Sequence, residues 1–278
     1  MKKINRRSFL AAAGLTAAAL ALTACGGSAS STASSTASSA ASSEAASTSA
    51  AAELTTVEAG KLTMATNATF PPYEMTTDSG EIEGIDVDTA KAIAEKLGLE
   101  LQIDDMDFDA ALLSVQQGKA DIVMAGVTVT DERKAVMDFS DSYATGIQSI
   151  IVPEGSDITS PDDLAGKKIG TQRGTTDYIY CSDDFGDDAV VAYDNGLTAV
   201  QALNNGQVDA VVIDNAPAKE YVAANPGLVI LDTSYAEEDY AIGMAKGSSL
   251  EDAVNAALEE LKADGTLQSI VDKYITAE

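Results

Sequence analysis

The stretch "ALLSVQQGKADIVMAG", residues 111–126, contains the pattern that decides the fold: a helical repeat, a glycine, a short turn with an aspartate, and an apolar run. The same order returns in residues 199–214, "AVQALNNGQVDAVVID". A glycine after a helical repeat is a common stop signal. The apolar run that follows is typical of a strand covered on both faces of a parallel sheet. The repeated pattern predicts two related α/β units.

Strands and helices alternate on both sides of these stretches. Residues 61–66 and 99–103 have strand character, and residues 86–98 carry apolar side chains on one helical face, with Asp86 positioned to cap that helix. The second half of the chain follows the same order. Alternation of this kind predicts an α/β fold in which mostly parallel sheets are flanked by helices.

The chain is expected to cross twice between the two units. Residues 143–152 and 240–247 are the predicted crossover strands, so the fold class is a two-lobed α/β fold with a hinge. Ligands of open α/β sheets bind at the carboxyl ends of strands, which predicts a cleft between the lobes. The predicted boundaries are residues 57–145 plus 241–278 for lobe 1 and residues 146–240 for lobe 2.

The composition excludes several classes of function. The 278-residue chain has a formal net charge of −27, which argues against nucleic acid or an anionic membrane surface as a direct partner. It contains no histidine, so Ser-His-Asp and Cys-His catalysis and the usual zinc sites are excluded. We expect neither a metal nor a cofactor. Chemistry by carboxylates alone stays open.

The amino-terminal residues are typical of an export signal. A basic segment at residues 2–7 precedes an apolar run at residues 9–24, which is shorter than the roughly 18 residues of a membrane span. The run ends in "LTAC", which resembles a bacterial lipobox and would place lipid on Cys25 at the extracytoplasmic face of the cell membrane. An ordinary signal peptide with an incidental cysteine is the alternative, and "NRRSFL" leaves twin-arginine export open. The expected segments are a signal peptide (residues 1–24) and a lipidated cysteine with a flexible Ser/Ala/Thr linker (residues 25–56).

Arg133 is poorly placed for the start of a helix. It follows Asp131 and Glu132, which suit the positive end of a helix dipole, whereas an arginine there does not. A solvated arginine is one interpretation. The other is a guanidinium turned toward the cleft, where it would bind a carboxylate through two parallel hydrogen bonds. Gly126 would then allow close approach of the backbone, and Thr128 would add a hydroxyl.

Several motifs, in order and spacing, resemble the polar amino-acid-binding proteins of ABC importers, which have the type II periplasmic-binding-protein-like fold. The resemblance covers residues 61–274. The motifs are "TNATFPPYE" (66–74), "GEIEGIDVDTAKAIAEKLG" (80–98), "MDFDAALLSVQQGKADIVMAGVTVTDERKAVMDFSDSY" (106–143), "DDLAGKKIGTQRGTT" (162–176) and "VDAVVIDNAPA" (208–218).

The resemblance implies anchors for both charged groups of an amino acid. Arg133 and Thr128 would hold the α-carboxylate, and Thr176, at a helix start, would add a hydroxyl and a backbone N–H. The backbone of Gly126 and the side chain of Asp214 would meet the α-ammonium. Other interpretations stay open: Asp214 and Thr176 could be helix caps, and Gly126 could serve a simple turn.

The resemblance also implies which residues contact the ligand side chain. Phe70 and Phe108 would hold it between their rings, although aromatic residues more commonly belong to the core. Asn67, Gln172 and Ile213 depart from familiar relatives at positions near the side chain, so the amino acid stays open. Two aromatic faces without a lysine nearby would tolerate a cationic side chain through cation–π contact, whereas Asn67 and Gln172 equally suit a neutral polar one.

The implied function is capture of a free L-amino acid and its delivery to an ABC permease by a monomeric, lipid-anchored receptor. The alternatives are an enzyme of dehydratase or lyase type on the same fold, and a sensory surface lipoprotein. An inward-pointing Arg173 would oppose a cationic ligand, and Cys181 has no assigned role.

Overall fold

The computed structural model of the protein describes residues 54–275. The predicted signal peptide, Cys25 and the predicted linker up to residue 53 lie outside the described residues. Among the residues described, no helix has the length and apolar character that a bilayer crossing requires.

The secondary structure alternates along the chain as expected. The strands are β1 (Lys61–Thr66), β2 (Thr69–Phe70), β3 (Glu74–Thr76), β4 (Ile82–Glu83), β5 (Glu100–Asp105), β6 (Ile122–Val123), β7 (Met137–Phe139), β8 (Ala144–Pro153), β9 (Ile169–Gln172), β10 (Val190–Tyr193), β11 (Ala210–Asp214), β12 (Leu228–Ile230), β13 (Ala236–Tyr240) and β14 (Gly243–Ala245). The α-helices are α1 (Ile85–Leu97), α2 (Phe108–Gln116), α3 (Asp131–Val136), α4 (Thr176–Phe185), α5 (Gly196–Asn204), α6 (Asn215–Ala224), α7 (Glu251–Ala263) and α8 (Thr266–Tyr274), and one-turn 3-10 helices lie at Pro161–Leu164 and Asp187–Ala189.

Two large sheets form the cores of two lobes. The first has the order β5-β1-β6-β14-β7 and the second β10-β9-β11-β8-β12, with β13 also paired to β8. Within each sheet three neighbouring strands are parallel: β5, β1 and β6 in the first, and β10, β9 and β11 in the second. The strands β14 and β8 add antiparallel partners. A small antiparallel sheet of β2, β3 and β4 belongs to the first lobe.

Both faces of each sheet are covered, because alternate side chains of a strand point to opposite faces. In β1, Leu62 and Met64 enter one apolar cluster, whereas Ala65 enters the cluster on the other face. In β11, Val211 and Val212 divide between two clusters in the same way. Each fully buried Leu, Met or Val side chain of this kind is worth roughly 1.5–3 kcal/mol.

The structure differs from the sequence prediction in the first helix and at the second crossover. Gly84, not Asp86, is the N-cap of α1, and Asp86 lies in the first turn with its side chain buried. Residues 240–247 are not one strand: β13 ends at Tyr240 in the second sheet, and β14 begins at Gly243 in the first. The chain therefore crosses between the sheets in the two residues that separate these strands.

Candidate ligand-binding site between the lobes

One pocket lies between the two lobes, next to the carboxyl ends of β1, β6 and β9. Strand ends place residues there because parallel strands finish at the same edge of a sheet. Ile213 and Tyr240 add apolar and aromatic surface to the pocket. Eight of the nine predicted ligand-binding residues line it: Asn67, Phe70, Phe108, Gly126, Thr128, Arg133, Gln172 and Thr176. The ninth, Asp214, does not.

Arg133 is the third residue of α3 and is half-buried. It is therefore not a solvated arginine, which was one of the two interpretations of its position. Its backbone N–H donates to the capping hydroxyl of Thr130 at 3.1 Å. The guanidinium lies over the ring of Phe108, 5.5 Å from the ring centroid. It donates to Thr128 O at 2.7 Å and, across the cleft, to Gly174 O at 3.1 Å. Burial lowers the pKa of Arg133, but an arginine still remains charged.

The lobes also meet through other hydrogen bonds across the cleft. Gln172 Nε2 donates to Asn67 Oδ1 at 3.0 Å, and the Tyr221 hydroxyl donates to Thr69 O at 2.6 Å. Together with the bond from Arg133 to Gly174, these bonds hold the two lobes in a closed arrangement.

The hydroxyls of Thr128 and Thr176 converge on a carboxylate that sequence reasoning missed. Each contacts Glu238 Oε2 at 2.9 Å, and Gln148 Nε2 donates to the same oxygen at 2.8 Å. Glu238 is buried in β13. The cap of α4 is Thr175, which accepts from the backbone N–H of Tyr178, so Thr176 is not an N-cap and its hydroxyl is directed to the pocket.

Asp214 is the N-cap of α6, as the alternative interpretation had it. Its Oδ1 accepts from the backbone N–H of Ala216 at 2.9 Å. Its Oδ2 accepts from the Ile147 N–H and the Tyr240 hydroxyl, both at 3.1 Å. These hydrogen bonds lower the pKa of Asp214, but the effect of burial is larger and raises this pKa to about 6. Contact of Asp214 with a ligand ammonium stays a prediction.

Two acidic residues of the pocket were also missed. Glu74 lines the pocket with its side chain fully buried, and neither carboxyl oxygen accepts a hydrogen bond from a donor. Asp177, in the first turn of α4, lines the pocket with Oδ1 unbonded. Burial raises the pKa of both acids. The neighbouring Asp86 carboxyl raises the pKa of Glu74 further, and the Glu238 carboxyl does the same for Asp177. The signal for Glu74 was a single acid at the end of the apolar and aromatic run "TFPPYE".

Beneath the pocket, Glu74 and Asp86 lie within hydrogen-bonding reach of each other. Asp86 Oδ2 accepts from the backbone N–H of Gly126 at 3.0 Å and from the Tyr143 hydroxyl at 2.8 Å. Burial raises the pKa of Asp86 to about 6. Gly126 has a φ of 55°, and a Cβ there would meet the Phe70 ring at 3.0 Å. Glycine is therefore required both for the turn and for the close approach of the ring.

The two phenylalanines are shared between the pocket and the cores. Phe108 is buried in one cluster of the first lobe, and Phe70, stacked on Tyr73 at 5.7 Å, packs against clusters of both lobes. Arg173 is exposed and pairs with Asp194 at 3.2 Å, so it does not point into the pocket. Within residues 54–275, no cluster of His, Cys, Asp and Glu residues has the arrangement of a metal site.

Known proteins match the chain in both sequence and structure. The model of the bacterial extracellular solute-binding proteins, family 3, matches residues 62–277. A probable histidine-binding protein of Neisseria gonorrhoeae is 33% identical over 283 residues, a match that covers 99% of this chain and 98% of that protein.

Two solved structures have similar sequences and the same fold. The arginine-, lysine-, histidine-binding protein ArtJ of Geobacillus stearothermophilus is 35% identical, with a TM-score of 0.75 and coverage of 78% of this chain and 96% of that chain. An ancestral arginine-binding protein bound to arginine is 44% identical, with a TM-score of 0.74 and coverage of 78% and 98%.

These matches confirm the prediction of a two-lobed α/β fold. They also confirm the prediction of a binding protein over an enzyme, because the family consists of solute-binding proteins. The chain belongs to the bacterial extracellular solute-binding proteins, family 3.

Proposed function

We propose that the protein captures a free L-amino acid with a cationic side chain, arginine being the first candidate, and delivers it to an ABC permease. The observation that carries the choice of a cation is Glu74, a fully buried pocket carboxyl whose hydrogen-bonding neighbour is another carboxyl, Asp86. The pocket also contains Asp177, and its one basic side chain is Arg133. An amino acid with a net positive charge balances this arrangement better than a neutral one.

Glu74 suits a cationic side chain for an electrostatic reason. Burial and the neighbouring Asp86 carboxyl raise the pKa of Glu74, so Glu74 favours its protonated form. A guanidinium or ammonium beside it would favour the carboxylate and replace the proton. The rings of Phe70 and Phe108 would add cation–π attraction of about 0.5–2 kcal/mol. The names of ArtJ and the ancestral arginine-binding protein agree with this choice.

The α-carboxylate of the ligand is assigned to Arg133 and to the amino end of α4. A guanidinium binds a carboxylate through two parallel hydrogen bonds, and free N–H groups at a helix start attract anions. At present the guanidinium donates to two backbone carbonyls, one in each lobe. A ligand carboxylate is a stronger acceptor than either carbonyl, so it would exchange for at least one of them.

Closure of the lobes is the step that we assign to transport. Arg133 belongs to the first lobe and Thr176 to the second, so a ligand that contacts both favours the closed form over the open one. The permease would then recognise the closed form. The assignment of residues 57–145 plus 241–278 to one lobe and 146–240 to the other is part of this proposal.

The cellular setting is also proposed. The sequence "LTAC" supports removal of residues 1–24 and a lipid on Cys25, with residues 25–56 as a tether to the outer face of the cell membrane. A single receptor molecule suffices for this role, since the pocket draws its residues from both lobes of one chain.

A thermal-shift screen of residues 54–278 against all common L-amino acids tests the proposal. A ligand at a hundred times its Kd adds about 2.7 kcal/mol of stability. We expect the largest shift with arginine, a smaller one with lysine or histidine, and little with aspartate or glutamate. A glutamate shift equal to the arginine shift would contradict the assignment of a cationic ligand. No shift with any amino acid would contradict the function itself.

A further inference from the structure

Glu238 lies at the meeting point of both lobes and the hinge. Its Oε2 accepts three hydrogen bonds of 2.8–2.9 Å. The donors are the Thr128 hydroxyl of the first lobe, the Thr176 hydroxyl of the second, and the Gln148 side-chain amide of the neighbouring strand β8. Its Oε1 accepts from no donor. Glu238 is 7% exposed, so little solvent reaches these bonds.

The hydroxyl hydrogens of Thr128 and Thr176 limit how these two side chains can bind a ligand. A hydroxyl has one hydrogen to donate and two lone pairs that accept. If the hydrogens of Thr128 and Thr176 are donated to Glu238, neither hydroxyl can donate to a ligand carboxylate. Donation to a carboxylate is favoured, since charge-assisted hydrogen bonds are the stronger ones. The two hydroxyls therefore present lone pairs to the pocket, and lone pairs attract an ammonium.

The two hydroxyls lie close enough for one group of the ligand to contact both. Thr128 Oγ1 and Thr176 Oγ1 are 3.3 Å apart, and either could donate to the other; when both hydrogens are directed to Glu238 instead, the two oxygens face each other as acceptors. An ammonium, which has three hydrogens, can donate to both oxygens at once. The resemblance implied the opposite direction, with both hydroxyls donating to the α-carboxylate.

We propose that Glu238 is a positioning residue for the α-ammonium of the ligand: it holds the hydroxyls of Thr128 and Thr176 as acceptors and adds a compensating negative charge behind them. The proposal rests on the amino-acid-binding function proposed above. It leaves the α-carboxylate to Arg133 and the start of α4. In the competing interpretation, the Glu238 carboxylate occupies the site of the ligand α-carboxylate and must leave before a ligand binds. Glu238 would then weaken binding.

Three ligands distinguish these roles by isothermal titration calorimetry: L-arginine, 5-guanidinopentanoate, which lacks the α-amino group, and agmatine, which lacks the carboxylate. We expect Glu238→Gln to raise the Kd of L-arginine and agmatine roughly 10- to 100-fold. The Kd of 5-guanidinopentanoate should change less than about threefold. The control is Glu237→Gln, an exposed neighbour on the same strand, which should change none of the three.

Several outcomes would overturn the proposal. Tighter binding of L-arginine by Glu238→Gln would show that Glu238 occupies the site of the ligand carboxylate. An equal loss of affinity for L-arginine and 5-guanidinopentanoate would indicate that Glu238 has a structural role alone. A misfolded fraction lowers the stoichiometry of the titration and leaves the Kd unchanged, so it is recognised separately. A wild-type protein that binds no amino acid would instead contradict the proposed function.

A second variant applies if Glu238→Gln does not fold. Thr128→Val removes the hydroxyl at nearly constant shape and should weaken L-arginine but not 5-guanidinopentanoate. If Thr128 donates to the carboxylate instead, both ligands lose affinity equally, and the assignment of Glu238 is wrong.

Discussion

The side-chain amide of Gln172 donates a hydrogen bond of 3.0 Å to Asn67 Oδ1 and so joins the second lobe to the first. Both side chains are about 5% exposed. Asn67 is held in place by its own bond to Met106 O at 2.9 Å. Because the bond joins the two lobes, it stabilises the closed arrangement relative to the open one and reduces the free energy of closure that a ligand must supply.

Replacing Gln172 should therefore shift the ligand-free protein toward the open form. We expect Gln172→Ala to enlarge the radius of gyration of ligand-free protein in small-angle X-ray scattering. The Kd for L-arginine should rise up to about tenfold, since one hydrogen bond contributes about 0.5–1.5 kcal/mol. The control is Gln207→Ala, an exposed glutamine of the second lobe. An unchanged radius of gyration would show that this bond does not decide closure.

Arg133 should be the strongest single anchor of the amino acid. Removing one partner of a buried ion pair costs about 3–5 kcal/mol, so Arg133→Ala should raise the Kd of L-arginine at least a hundredfold by calorimetry. Agmatine, which has no carboxylate, should lose little. Arg133→Lys keeps the charge but not the two parallel hydrogen bonds, and should fall in between. Equal losses for both ligands would argue against a carboxylate at this position.

The sequence predicted those features that depend on nearby residues. The helix, glycine and strand of residues 111–126 and 199–214 are local signals, and both halves fold as expected apart from strand lengths. Arg133 was singled out by the expectation that it conflicts with the dipole at a helix start, but α3 has six residues and Arg133 lies in its last turn, where a cation suits the dipole. Glu238 could not be identified, because it meets Thr128 over a separation of 110 residues. For Glu74 the local signal was its position at the end of the apolar and aromatic run "TFPPYE", and that position does not reveal that the side chain becomes fully buried.

The affinity for a cationic ligand should rise with pH. The pKa of Glu74 is raised in the empty protein, so ligand binding must displace a proton whenever Glu74 is protonated. We expect calorimetry in buffers of different ionisation enthalpy to show proton release on binding L-arginine, together with a Kd that falls as pH rises. Glu74→Gln should remove the proton release and weaken binding, whereas Glu81→Gln, at an exposed acid, should do neither. Binding without proton exchange at any pH would contradict this.

The same buried acids should make the ligand-free protein less stable as pH rises. A carboxyl whose pKa is higher in the folded than in the unfolded state binds its proton more tightly when folded, so stability falls between the two pKa values. For Asp86 this window runs from an unfolded value of about 3.9 to about 6 in the folded protein. We expect the Tm of Glu74→Gln to rise relative to that of wild type as pH increases above about 4.3, the unfolded value for a glutamate. A difference in Tm that stays constant with pH would show that Glu74 does not titrate over the pH range measured.

Gly174 should be required for closure. It has a φ of 76°, and a Cβ there would collide with the carboxylate of Asp109 on the opposite lobe. Gly174→Ala should therefore lower the affinity for L-arginine, and Asp109→Ala should restore it in the double variant. Gly166 has a similar φ of 79° with nothing within 4 Å of its Cβ position. Gly166→Ala should then lower the Tm through backbone strain, which costs about 1–3 kcal/mol, without a change in Kd. If the two glycine variants lose affinity equally, strain rather than the Asp109 contact is the cause, and Gly174 has no special part in closure.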